Sequence, residues 1–150
     1  MIRIKNYVLI ILLMFISACG YEPLNNNIQK SNIKISKKTF SGNNQINRKI
    51  FNQINLKEAK DELGYELKIN SNKSINQVAK DKSGNVTKYK TTITIVIELI
   101  ENEKTIKKRS FSKDFNYSNL NNKFELKKYQ EDVETNLINS IARDIKIFLN

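Results

Sequence analysis

An alternating run of apolar and polar residues in the second half of the chain constrains its fold more than any other feature. Side chains of a β-strand point alternately to its two faces, so a period of two predicts a half-buried strand. The β-branched residues that dominate the run suit such a pleated surface. One predicted face carries Tyr89, Thr91, Ile93, Ile95, Ile97 and Leu99, and the other carries Lys88, Lys90, Thr92, Thr94 and Glu98.

Weaker alternation on either side of this run predicts three further strands, at 32–40, 63–78 and 105–117. In the last of them, Phe111, Phe115 and Tyr117 fall on one side. The segments 81–85 and 101–104 have turn compositions, so the last three strands are expected to form a meander of hairpins.

Two amphipathic helices are predicted from apolar residues that recur every three or four positions. The first, at 44–60, is marked by Ile46, Ile50 and Ile54. The second, at 122–149, can be capped by Asn121 or Asn122. Its apolar stripe contains Leu126, Tyr129, Val133, Leu137, Ile141, Ile145 and Phe148.

The order of elements is therefore strand, helix, three strands and helix, within a single domain at 32–150. A sheet with one apolar face buries it by packing both helices there. We expect an α+β fold: a two-layer sandwich with a four-stranded, mostly antiparallel sheet and both helices on one face.

The first eighteen residues have the order of a cleavable export signal. Arg3 and Lys5 precede an apolar run at 7–16, and two small residues follow before Cys19. The run is about half the length that a membrane-spanning helix needs. A short membrane anchor and a buried core helix are the alternatives to a signal peptide at 1–18.

Ile16-Ser17-Ala18-Cys19 resembles the lipobox of bacterial lipoproteins. The resemblance implies that Cys19 carries a diacylglyceryl group and an N-acyl group, which together anchor the chain to a membrane. Because residue 20 is Gly rather than Asp, it also implies sorting to the outer membrane, on its periplasmic side. Cys19 is the only cysteine, so no intrachain disulfide can form. Residues 19–31 are expected to be an irregular segment that leads from the lipid to the domain.

A formal net charge of +11 is typical of a surface that can bind an anionic partner, such as nucleic acid, anionic lipid or acidic sugar. Export and lipidation argue against nucleic acid and leave anionic lipid or acidic sugar, of which lipopolysaccharide is the abundant example in a Gram-negative envelope. The alternative is a solvated lysine surface without a ligand, favoured in part by an A/T-rich codon bias toward Lys, Asn and Ile.

The composition argues against catalysis, and we expect that the chain is not an enzyme. It contains no His, and lipid would consume its one thiol. Triads built on His and most transition-metal sites are therefore excluded. The four glycines are scattered, so no phosphate-binding loop is present. We expect no catalytic residues, no metal and no cofactor beyond the acyl groups.

The segment Cys19-Gly20-Tyr21-Glu22-Pro23-Leu24 resembles the opening of the LptE family of lipopolysaccharide-assembly lipoproteins, particularly its alphaproteobacterial members. The order of predicted elements is compatible with that family over the whole mature chain. The resemblance implies a lipoprotein that partners and plugs the LptD β-barrel of the outer membrane. It also implies that the protein binds lipopolysaccharide as it is delivered to the outer leaflet. The alternative is a scaffold or adaptor lipoprotein of another envelope assembly.

Basic residues near two predicted turns are the candidates for contact with such an anionic ligand. Each of them could equally be a solvated side chain with nothing bound. The candidates are Lys80, Lys82, Lys88 and Lys90 around the first turn and Lys107, Lys108 and Arg109 after the second.

Overall fold

The computed structural model describes residues 33–59 and 64–150 as an α+β fold, as expected. The signal peptide at 1–18, Cys19 and the lead-in segment at 19–31 lie outside the described residues. The elements are β1 (Lys34–Gly42), α1 (Asn44–Ile54), β2 (Lys57–Glu58), β3 (Tyr65–Lys80), β4 (Val86–Glu101), β5 (Lys104–Ser118) and α2 (Lys123–Leu149).

The sheet has five strands in the order β2-β1-β3-β4-β5, so the expected count of four is wrong. β1 runs parallel to both β2 and β3, whereas the β3–β4 and β4–β5 pairs are antiparallel. The additional strand, β2, is only two residues long and pairs beside Lys34 and Ile35. A strand this short has no periodicity that a sequence can display.

The first helix ends at Ile54, six residues before its expected end at 60. Asn55 adopts a left-handed conformation, with φ 51° and ψ 48°, and its N–H donates to the carbonyl of Phe51. A left-handed residue of this kind closes a helix. The chain then turns into β2, so the apolar period stops where the sequence alone shows no Gly or Pro.

The alternation in β4 is confirmed by its burial. Ile93, Ile95 and Ile97 are fully buried, and Leu99 is nearly so. They form one core with the apolar stripes of the two helices, including Ile50 of α1. Since burial of an aliphatic side chain stabilises by roughly 1.5–3 kcal/mol, β4 is the central structural element.

The β3–β4 hairpin, accompanied by β5 along nearly its full length, extends beyond β1 and β2. Each of its strands has sixteen residues, a length of roughly 50 Å. β1 accompanies β3 only as far as the pair Gly42 and Ser71. We call the part beyond this pair, closed by the turn at 81–85, the distal end, and the part where β1 begins the proximal end. The register of the hairpin shifts between Gln77 and Lys80, as in a β-bulge.

The transition from β1 to α1 depends on Gly42. Its φ is +75°, and a Cβ at this position would lie 2.0 Å from the backbone oxygen of Ser71. The same oxygen accepts the N–H of Asn43 at 3.0 Å. The side chain of Asn43 then accepts the N–H groups of Gln45 and Ile46 and caps the helix. The close approach of Gly42 to the backbone of Ser71 thus determines where α1 begins.

Substitution of Gly42→Ala is expected to lower the free energy of unfolding by about 3 kcal/mol, because the methyl group meets backbone and the φ is unfavourable. Gly84→Ala is the matched control. Gly84 also has a positive φ, of +84°, but no atom lies within 4 Å of its would-be Cβ. The control should lose only about 1 kcal/mol in urea denaturation. Equal losses for the two variants would contradict the steric role of Gly42.

Candidate functional site

The turn at the distal end is fixed by one carboxylate. Asp81 accepts the backbone N–H groups of Ser83 at 2.8 Å and Asn85 at 2.9 Å, and also the side-chain amide of Asn85. The hydrogen bond from the Asn85 side chain, followed by those from the backbone, lowers the pKa of Asp81. These hydrogen bonds therefore fix the backbone that carries the lysines in and beside the turn.

Three of the candidate basic residues surround this turn without an intramolecular ion pair in the described ranges. Lys80, Lys82 and Lys88 are exposed. Lys90 lies two residues beyond Lys88 in β4, and its Nζ is 3.4 Å from a carboxylate oxygen of Asp114. The turn thus leaves three cations accessible to a ligand, while the fourth is partly neutralised.

The second group of candidates contacts the protein itself. Lys107 Nζ donates to the carbonyls of Phe148 and Leu149, each at 3.2 Å, and so caps the end of α2. The guanidinium of Arg109 lies 4.7 Å from the ring centre of Phe148. Lys108 forms an ion pair with Glu98.

The structure does not bring the two groups together. Lys88 pairs with Ser118 at the distal end, whereas Lys108 pairs with Glu98, ten residues further along β4. At 3.4 Å per residue, this spacing corresponds to roughly 35 Å along the strand. One small ligand group cannot contact both.

Sequence reasoning missed a cluster of exposed apolar side chains at the distal end. Of the eight large apolar side chains exposed in the described residues, six lie in this region. Phe115 lies on the same side of β5 as Phe111 and Tyr117, as expected, but it is 47% exposed whereas they are buried. The six, which we call the distal apolar cluster, are Ile75, Val78, Phe115, Leu120, Phe124 and Tyr129.

A tyrosine group adjoins this cluster. The ring of Tyr117 stacks on Tyr89 at 5.9 Å and meets the ring of Tyr129 edge-on at 5.6 Å. The hydroxyl of Tyr117 lies 3.0 Å from that of the buried Thr91. Ile75 and Phe115 flank Thr91 on the neighbouring strands, so they share the helix-facing side of the sheet. The distal end therefore combines accessible cations with an ordered apolar surface.

Glu134 connects three elements at the border of this region. Its side chain, 13% exposed, accepts Lys49 of α1 at 2.7 Å and Lys73 of β3 at 2.6 Å. Burial alone would raise the pKa of Glu134, but the hydrogen bonds from Lys49 and Lys73 outweigh it, and the pKa is lowered. The ionised carboxylate thus holds α1, α2 and β3 together.

The variant Glu134→Gln is expected to lower the free energy of unfolding by about 2 kcal/mol at neutral pH. A lowered native pKa stabilises the fold above the unfolded-state pKa of about 4.3, and this contribution disappears as the pH falls through the native value. The gap between wild type and variant should therefore be constant from about pH 7 to 5 and narrow below about pH 4. Urea titrations across this range provide the measurement; a gap independent of pH would refute the assignment.

The described ranges contain no group of three or more His, Cys, Asp or Glu residues placed to hold a metal ion. None of the helices in these ranges is long and apolar enough to cross a membrane.

Comparison with known proteins supports the fold through solved structures alone. No protein-family model matches the chain, and no curated protein matches its sequence. Rare lipoprotein B from Shewanella oneidensis superposes with a TM-score of 0.55 at 12% identity, covering 73% of this chain and 90% of that one. A minor lipoprotein from Acinetobacter baumannii gives 0.56 at 12% identity, with coverages of 75% and 89%. Lipoprotein B from Nitrosomonas europaea gives 0.52 at 10% identity, with coverages of 75% and 82%.

The chain shares its fold with bacterial lipoproteins. At these identities the similarity extends to architecture and not to individual side chains. The lipidation expected at Cys19 lies outside the described residues and stays a prediction.

Proposed function

We propose that the chain is an outer-membrane lipoprotein of the LptE type, which partners and plugs an LptD-like β-barrel and assists delivery of lipopolysaccharide. The observation that carries this proposal is the opening segment at 19–24, joined to a domain with a lipoprotein fold. The opening segment suggests the family, and the fold supports the same class of protein independently of sequence identity.

The topology suggests how such a protein would be oriented. The segment that leads from Cys19 enters the domain at Ile33, immediately before β1, and therefore at the proximal end. The turn at 81–85 lies at the opposite end of a hairpin roughly 50 Å long. A lipid on Cys19 would hold the proximal end near the inner leaflet of the outer membrane, and the distal end would lie away from the anchor.

The distal end is the better of the two candidate regions for lipopolysaccharide. Lys80, Lys82 and Lys88 form no ion pair in the described ranges, and their ammonium groups can bind phosphates as point charges. The distal apolar cluster supplies a surface for hydrocarbon at the same end of the sheet. Lys107 and Arg109 already contact the end of α2, so their use by a ligand would cost intramolecular contacts.

The partner is tested by purification of the affinity-tagged, lipidated chain from detergent-extracted outer membranes. We expect one large β-barrel protein at a one-to-one ratio, and loss of surface lipopolysaccharide when the chain is depleted. Cys19→Ala should abolish lipidation and reduce recovery of the complex from the membrane fraction. Purification as a free monomer, or with an inner-membrane protein, would favour the alternative of a scaffold or adaptor.

The ligand region is tested by reversing its charge. A triple variant, Lys80→Glu, Lys82→Glu and Lys88→Glu, is expected to bind lipopolysaccharide at least about tenfold more weakly at low salt. The difference should shrink in about 0.5 M salt, because exposed charges are screened there. Binding is measured with the purified lipidated chain in detergent.

The control triple variant makes the same change in net charge at the proximal end. It reverses three exposed lysines that form no ion pair in the described ranges, and its affinity should remain close to that of the wild type. Equal weakening by both variants would indicate a general charge effect and would remove the proposed site. The control positions are Lys34, Lys57 and Lys104.

A further inference from the structure

The face of the sheet opposite the helices carries a band without charged side chains. It covers two complete rows of β3, β4 and β5, the neighbouring pair Ser74 and Thr92, and the end of β1; in the row of that pair, the β5 residue is Asp114. We call this group the neutral band. It consists of Ser41, Asn70, Asn72, Ser74, Thr92, Thr94, Val96, Ser110 and Ser112.

The band is unusual in this chain, in which charged residues make up 27% of the sequence. Within the described residues, most of the charges that border it are paired; the exception is Lys68 of β3, which is exposed and in register with Glu98. Glu98 pairs with Lys108 on the proximal side, and Lys90 lies 3.4 Å from Asp114 on the distal side. The face therefore has little net charge, unlike the turn at 81–85.

The side chains of the band are short and partly ordered. The hydroxyls of Thr94 and Ser112 lie 3.0 Å apart and form a hydrogen bond across two strands. Thr92, Thr94 and Val96 are half-buried by their neighbours alone, since no element of the described ranges covers them. Short side chains with little rotamer freedom lose little entropy on contact, and they allow another sheet to approach to about 10 Å.

The dimensions fit the centre of a protein interface. The face from Glu66 to Asn76 has an area on the order of 500 Å². This follows from strands about 4.8 Å apart and from side chains of the same face that recur about every 7 Å along each strand. The area is somewhat less than the roughly 800 Å² per partner of a stable interface, and the strand edges can supply the remainder. Interfaces also exclude charge from the centre and keep it at the rim, which is the arrangement seen here.

We propose that the neutral band docks against a flat wall of uncharged polar side chains on a protein partner. An anionic ligand would find no unpaired cation in the band, and a bilayer would find no apolar patch. A sheet of uncharged polar side chains needs neither an unpaired cation nor an apolar patch, because its hydroxyl and amide groups can exchange hydrogen bonds with Asn72, Thr94 and Ser112. This assignment rests on the proposed function for the identity of the wall, which would be the interior of the barrel. The ligand end and the docking face are then separate surfaces of one sheet.

The first test places a charge inside the band of the full, lipidated chain. Asn72→Arg and Thr94→Arg should each reduce the recovered barrel at least about tenfold, because the guanidinium would be desolvated without a partner. Asn136→Arg is the matched control, since Asn136 is exposed on α2, away from the sheet. The control should recover the barrel normally. Unchanged thermal unfolding and lipopolysaccharide binding in all three variants would show that the fold and the ligand end are intact.

If the wild type recovers the barrel and the band variants recover it equally well, the docking assignment is wrong and the proposed function stands. If the wild type recovers no barrel, the proposed function fails, and the docking assignment fails with it. A variant that unfolds is replaced by the second measurement, which requires no buried charge.

The second measurement uses a photo-crosslinking amino acid at positions 72, 112 and 136 of the full chain. Crosslinks to the barrel from 72 and 112, but not from 136, are expected. Crosslinks between two copies of this chain from the band positions would mean that a second copy covers the face, and they would overturn the proposal. Crosslinks to the barrel from 136 alone would overturn it as well.

Discussion

Burial of one face of a long sheet by two helices of unequal length is the constraint on which the rest of the structure depends. β4 supplies a nearly unbroken apolar face, with Ile93, Ile95 and Ile97 fully buried. α1 has eleven residues and stays beside β1, whereas α2 has twenty-seven. The distal end consequently has only α2 beside it. Both the exposed apolar cluster and the accessible lysines follow from this difference in helix length.

The basic residues of the chain have different roles, which the net charge alone does not reveal. Lys49 and Lys73 hold Glu134 at the junction of α1, α2 and β3. Lys107 closes the end of α2, and Arg109 lies over the ring of Phe148. The lysines around the turn at 81–85 have no such intramolecular task in the described ranges. They share this property with Lys34, Lys57 and Lys104 of the proximal end, so a lack of intramolecular contacts does not by itself mark a ligand site.

Local sequence patterns predicted the helices and the long strands, whereas the end of α1 and the contacts of the basic side chains depend on tertiary structure. The period of two in β4 could be read directly, and the cap of α2 could be narrowed to Asn121 or Asn122, of which Asn122 is the cap, because each depends on neighbours in sequence. The end of α1 at Asn55 could not, since a left-handed Asn resembles any other Asn in a sequence. The contacts of Lys107 were also hidden, because they require α2 to fold back onto β5. The sequence therefore could not show that Lys107 and Arg109 of the second candidate group contact the end of α2.

The end of β1 at Ser71 also bears on how the chain avoids unwanted assembly. Beyond this point β3 has a free edge within the described residues, and β5 has another along its full length. Free edges are templates on which strands of other molecules can add. The register shift between Gln77 and Lys80 distorts the first edge, and lysines are spaced along the second. Both features hinder the addition of strands from other molecules and so protect the chain against aggregation.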